Sequence, residues 1–228
     1  MAEIKPNISI QGFQNFIEMV YGPKNNRHYS VWDTLANIDR FGMRALKGIR
    51  KGDNNKTKTN LLITLSWFMS FLNQLHIDLE EKTWERFPYL CSYCGNRPCL
   101  CKKIKVQKRK TVKIDNKLKP KTLEDFQRMF QKIYPQESRT LEHAGIHLAE
   151  EIGELSEAFH VFQNNHSDAS FNQVILESAD FFSCVMGVAN SSKINLTKEL
   201  AIFFKGGCHV CHHTPCTCTF EETAKFKS

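Results

Sequence analysis

With 228 residues, 41% hydrophobic and 24% charged, the chain has an ordinary globular composition and enough length for one large domain or two small ones. The N-terminal MAEIKPNISIQ lacks the apolar stretch of a secretory signal. The longest apolar run, Leu61 to Leu72, is shorter than the ~20 residues a bilayer span needs, so a cytoplasmic protein without membrane contact is expected. The net charge of +7 is local: residues 102–121 hold ten Lys/Arg against one Asp, and the remainder is slightly acidic.

In chain order, the first recognisable helix carries Phe16-x-x-Met19 and is followed closely by Tyr21 and Pro23, which are expected to end it. A second helix contains Phe41-Gly42. From Leu61 to Leu75 there is no charge at all, which predicts a buried helix. A break at His76–Asp78 leads into a short helix opened by Asp78 and Glu81 in the pattern of a capping box. Then comes the cluster Cys91, Cys94, Cys99, Cys101, and after it the basic segment 102–121. That segment reads first as a solvated linker, or as a strap that folds over an active site and meets phosphates.

The second half repeats the order. Thr122-x-x-Asp125 opens a helix that contains Phe126-x-x-Met129 and stops at Tyr134–Pro135. A long helix is predicted from Ser138 to Phe162 on the stripe Leu148, Ile152, Leu155, Phe159, Phe162. A third helix covers Asn172 to Ala189, a fourth Leu196 to Phe204, and a second cluster follows at Cys208, Cys211, Cys216, Cys218. Aligned on the cysteines, Ser66 meets Ser183, Met69 meets Met186, Ile77 meets Ile194 and Leu79 meets Leu196. Two tandem repeats are therefore expected: 1–101 with its cluster at 91–101, the linker 102–121, and 122–228 with its cluster at 208–218. The fold class is all-α, each repeat being a bundle of about four helices.

Each C-x2-C-x4-C-x-C cluster is too crowded for two unstrained disulfides and suits a tetrahedral Zn2+, giving two structural zinc ions per chain. His209, His212 and His213 crowd the second cluster and could replace a thiolate. The carboxylates point to different chemistry. Glu151 and Glu154 lie three apart on one helix; Glu177 and Asp180 lie three apart on the next and are the only charges in Val174 to Ala189. A carboxylate in an apolar helix needs a partner or a metal, and an oxygen-rich cage suits Mg2+ or Mn2+.

Glu151-x-x-Glu154, twenty-two residues, then Glu177-x-x-Asp180 resembles the signature of the MazG-like all-α nucleoside triphosphate pyrophosphohydrolases. The flanks AEEIGELSEA and ESADFFSCVMGVANSSKINLTKELA are similar as well, over roughly Leu123 to Phe204; the cysteine clusters are not part of that pattern. The resemblance implies cleavage of an NTP or dNTP to the monophosphate and pyrophosphate, with Mg2+ held by Glu151, Glu154, Glu177 and Asp180. Glu151 or Glu154 would orient the attacking water. Lys132, Arg139, His147, Lys193 and the basics of 102–121 are candidates for substrate contact.

The resemblance also implies that the halves pack as an intramolecular pseudo-dimer. The first half would be catalytically dead, because Glu151, Glu154, Glu177 and Asp180 align with Arg40, Met43, Asn60 and Ile63. A homo-oligomer is a further possibility. The alternative reading is a zinc-stabilised scaffold that grips nucleic acid through the basic linker.

Overall fold

A computed structural model describes residues 3–219 and 221–222, apart from the side chain of Ser138. The outermost parts of the segments 1–101 and 122–228, at residues 1–2 and 223–228, lie outside the described residues. Among those described there are eight α-helices and no strand: α1 Ile10–His28, α2 Val31–Arg50, α3 Asn54–Gln74, α4 Leu79–Arg86, α5 Leu123–Ile133, α6 Leu141–Asn165, α7 Asp168–Ser191 and α8 Leu196–Phe203. No described helix is long and apolar enough to cross a membrane.

Every helix begins at a residue whose side chain accepts a hydrogen bond from an orphan amide of the first turn. These caps are Ser9, Ser30, Asp53, Asp78, Thr122, Thr140, Ser167 and Asn195, each worth about 1 kcal/mol. At Asp78 only half of the expected capping box forms: Asp78 accepts from the Glu81 amide, while the Glu81 carboxylate pairs with Lys119 at 2.5 Å. Pro135 lies beyond the end of α5, but Pro23 does not end α1. The helix continues to His28 because Asn25, buried beyond the proline, donates to Ser70 Oγ of α3 at 2.9 Å, and Tyr29 N–H closes the last turn on Asn25 O. A tertiary anchor there outweighs one missing ladder donor.

The chain forms two compact units whose limits do not follow the segments 1–101 and 122–228. Unit 1 is Met1–Ile77 with Ile194–Ser228; unit 2 is Asp78–Lys193. Each unit therefore contains the first three helices of one half and the fourth helix and cysteine cluster of the other.

In unit 1, α1, α2 and α3 pack with α8. Phe204 closes on Phe13 at 6.2 Å and Phe16 at 5.8 Å between ring centroids, over a core that includes Ile17, Leu65, Phe68 and Leu200. The uncharged stretch of α3 is buried as expected up to Leu72, apart from a half-buried Trp67; Asn73 to Leu75 are half-buried. In unit 2, α4 and α5 pack on α7, and α7 pairs with α6. Phe130 stacks edge-on with Phe87 at 5.2 Å and Phe182 at 6.3 Å, and Trp84 of α4 is fully buried.

The cluster contacts follow the same exchange. In unit 2 the Cys99 amide donates to Ile133 O at the end of α5, and in unit 1 the Cys216 amide donates to Val20 O of α1. Ile133 and Val20 each immediately precede the tyrosine of the matched Tyr–Pro segments. The basic segment is no free tether within unit 2. Lys110 N–H bonds to Tyr93 O at 3.2 Å, Trp84 Nε1 donates to Asn116 Oδ1 at 2.8 Å, and Lys119 sits on Glu80 and Glu81.

Candidate active site and metal centres

The acidic site of unit 2 is built on the antiparallel pair α6 and α7. One oxygen from each of Glu151, Glu177 and Asp180 lies within 4.8 Å of the others. Glu177 and Asp180, one turn apart on α7, are 8% and 7% exposed; Glu151, on α6, is half-buried. Glu154 is exposed on α6 and stands outside this trio, although its charge still acts on Glu151 and Glu177. The structure thus separates the four expected ligands into three that converge and one at the rim.

Three carboxyls so close cannot all ionise cheaply. Burial, then repulsion from Asp180, Glu154 and Glu177, pushes Glu151 up to about 8. Burial and the same kind of repulsion raise Glu177, and burial raises Asp180 despite a neighbouring cation. Glu151 Oε2 and Glu177 Oε2 are buried with no hydrogen-bond partner. Buried acceptors without donors, on hard oxygen ligands with raised proton affinity, are what a divalent cation relieves. The residues present fit Mg2+ or Mn2+.

Two cations stand at this site, Arg86, which the sequence did not point to, and Arg109, which it offered only among the basics of 102–121. Arg86, in the last turn of α4, holds Asp180 in a forked pair, Nε to Oδ1 at 3.1 Å and Nη2 to Oδ2 at 2.5 Å. Arg109, from the basic segment, reaches Asp180 Oδ2 at 3.3 Å. Gln173 donates to Glu177 from one turn earlier on α7. Arg86 carries no local signal, since a basic residue in a last helical turn is ordinary complementation of the helix dipole. Arg109 is one of ten similar charges.

The proposed substrate-contact residues are scattered. Lys132 lies over the Tyr89 ring at 5.7 Å, in a groove with Arg97 and Lys117. His147 pairs with Glu150 at 2.9 Å on the exposed side of α6. Lys193 adopts a positive φ of 57° in the turn after α7. Arg139 stacks on Tyr134 at 4.8 Å, and its Nη1 is buried without a hydrogen-bond partner. None of the four bonds to the acidic trio.

Both cysteine sets are assembled and can hold a metal ion. Four sulfurs about 2.3 Å from a tetrahedral zinc would lie about 3.8 Å apart. The Sγ–Sγ separations are 3.8 Å for Cys91–Cys101, 3.9 Å for Cys94–Cys99, 3.5 Å for Cys91–Cys99 and 3.7 Å for Cys208–Cys218. Backbone amides already point at the sulfurs: Tyr93 to Cys91, Leu100 to Cys94 and Val210 to Cys208, each at 3.4 Å. Donation by the Cys99 thiol holds Cys91 down to about 4, and donation by Cys216 holds Cys208 down to about 3. A ready thiolate in each cluster is the form that binds metal. No histidine joins either set of four. His209 Nδ1 pairs with Tyr21 Oη at 2.9 Å while its ring stacks on Phe203, and His213 Nδ1 pairs with Thr217 at 2.8 Å. Cys184 is buried in α7 and belongs to the core.

No family model, curated protein or solved structure matches the chain.

Proposed function

We propose that unit 2 is a divalent-metal-dependent nucleoside triphosphate pyrophosphohydrolase that converts an NTP or dNTP to its monophosphate and pyrophosphate. The observation that carries this reading is the convergence of Glu151, Glu177 and Asp180, two of them with orphaned buried oxygens, on the helix pair whose sequence resembles the MazG-like enzymes.

Bound Mg2+ or Mn2+ would neutralise phosphate charge and acidify a water nucleophile. The remaining work falls to the chain. Glu151, Glu177 and Asp180 hold the ion. Glu154, exposed one turn along α6, would orient the water from the solvent side. Arg109, the more accessible of the two guanidiniums on Asp180, is free to transfer to a phosphate oxygen as the triphosphate arrives, because its hold on Asp180 is a single contact. Arg86 keeps Asp180 in place through two bonds. The test is incubation with a panel of NTPs and dNTPs plus Mg2+, with products identified. Pyrophosphate and a monophosphate are expected, and absence of turnover with every nucleotide rejects the reading.

In the same proposal the chain supplies both members of a MazG-like pair, the second half with the chemistry and the first without it. The first half is still part of the catalytic unit through α4, because Arg86 comes from it. Each cysteine set holds one structural zinc.

Arg86→Ala discriminates between a metal site and a structural ion pair. Removing one partner of a buried pair costs roughly 3–5 kcal/mol. The variant is therefore expected to melt well below the wild type without divalent cations and to recover part of that loss when Mg2+ is added. A melting deficit indifferent to Mg2+ would mean that Asp180 serves packing alone.

A further inference from the structure

Unit 1 contains a cavity of about 450 Å3, within the ~300–1,000 Å3 range of small-ligand sites. It occupies the position that corresponds, along the repeat, to the acidic site of unit 2. Arg40 stands where the second half has Glu151, and Ile63 where it has Asp180; both line the cavity. No Asp or Glu lines it. At these two positions an acidic pair in one half is replaced by a cation and an apolar residue in the other.

Three kinds of group converge there. Arg40 is exposed at the wall, its guanidinium 5.3 Å from the Phe41 ring, and no carboxylate among the described residues pairs with it. Lys24, the second cation, is held by Cys218 O at 2.7 Å, so its charge is positioned but not neutralised. Tyr29 and Trp67 form an edge-to-face aromatic pair with centroids 5.3 Å apart on the lining. Asn25 and Ser70 add neutral hydrogen-bonding groups, and Cys208, His209 and Cys216 of the second cysteine set close the remaining wall.

We infer that this cavity is a metal-independent binding site for a nucleoside monophosphate, the base against Tyr29 and Trp67 and the phosphate on Arg40 and Lys24. The anionic and aromatic character of the ligand follows from the cavity itself; the choice of a nucleotide among aromatic anions rests on the reading of unit 2. The monophosphate is preferred to the triphosphate by charge. A phosphate monoester carries about −1.5 to −2 at neutral pH, which two cations match, whereas a triphosphate would bring uncompensated charge without a metal to offset it.

The experiment is isothermal titration of AMP, GMP, CMP and UMP into the full chain with no added divalent cation, alongside wild-type and Arg40→Glu protein. Under these conditions the acidic trio of unit 2 repels anions, so binding reports on unit 1. At least one monophosphate is expected to bind, and Arg40→Glu to weaken it tenfold or more. Arg40 is exposed, so the variant should fold; Arg40→Ala, expected to weaken binding less, is the second variant. Binding should quench the fluorescence of Trp67, a change that Trp67→Phe removes. No binding by any monophosphate at millimolar concentration, or binding indifferent to Arg40→Glu, overturns the inference. Loss of the pyrophosphohydrolase reading would appear separately, as absent pyrophosphate release with Mg2+ and triphosphates.

Discussion

Glu151→Gln should lower turnover by about 10^3-fold, the scale set by removing one electrostatic stabiliser of a transition state, while leaving the helices intact. Glu151 is the most informative of the three carboxyls because its burial and its neighbours already favour the neutral acid at about pH 8 and below. A glutamine copies the shape of that acid without the ionisable proton. In the metal-free protein the substitution is therefore expected to leave melting temperature unchanged or raise it. The effect should appear when Mg2+ is added: the wild type gains stability by ligand linkage, and the variant gains less. Asp180→Asn should be as damaging to turnover but less clean, since it also strips Arg86 and Arg109 of their shared partner. Near-normal pyrophosphate release in both variants would reject the acidic trio as the metal site. Glu154→Gln, at the rim, should reduce turnover while leaving the Mg2+ stabilisation of the metal-free protein largely intact.

The second large effect is expected from removing zinc. Metal analysis should return two Zn2+ per chain, and a strong chelator should lower melting temperature sharply, because structural zinc sites contribute roughly 10–16 kcal/mol of apparent binding energy to the folded state. The loss should be unequal in kind for the two clusters. Cys208→Ser should disturb unit 1, where Cys216 N–H is tied to Val20 O and His209 to Tyr21. Cys91→Ser should disturb unit 2, where Tyr134 Oη donates to the Cys91 sulfur at 3.6 Å, and should therefore reduce turnover as well. One metal per chain, or iron, would show that the assignment of the clusters is wrong.

Local information was legible in the sequence, and long-range information was not. Thr122, Asp78 and Asn195 announce helix starts because capping is satisfied within three residues, and the structure uses all three. The convergence of Glu151 with Glu177 and Asp180 was readable because carboxylates in an apolar helix need partners and the i,i+3 pair on the preceding helix is the nearest acidic group in sequence. The separation of Glu154 from that set was not, since residues three apart on a helix differ by only ~60° around its axis and the rim position depends on how α6 rolls against α7. Arg86 was invisible, and Arg109 was legible only as one of ten basic residues, for another reason: their partner Asp180 is 94 and 71 residues away. The exchange of fourth helices is of the same kind. α4 and α8 align with each other, so either could pack on either half as far as pattern alone can tell, and the contiguous segments 1–101 and 122–228 were the simpler expectation.

That exchange sets an order on the birth of the protein. Unit 2 lies entirely within residues 78–193, whereas unit 1 begins at the first residue and is completed only by residues after 193. As the chain leaves the ribosome, α1, α2 and α3 emerge first, yet the element that covers Phe13 and Phe16 arrives last, with Phe204 and the second cysteine set. The enclosed unit can finish during synthesis; the enclosing one must wait with apolar surface exposed, closing a loop of more than a hundred residues at the end. Contacts of such separation form slowly, and a waiting apolar face is where chaperones bind and aggregation starts. The helices α1, α2 and α3 are thus made before unit 2 and completed after it.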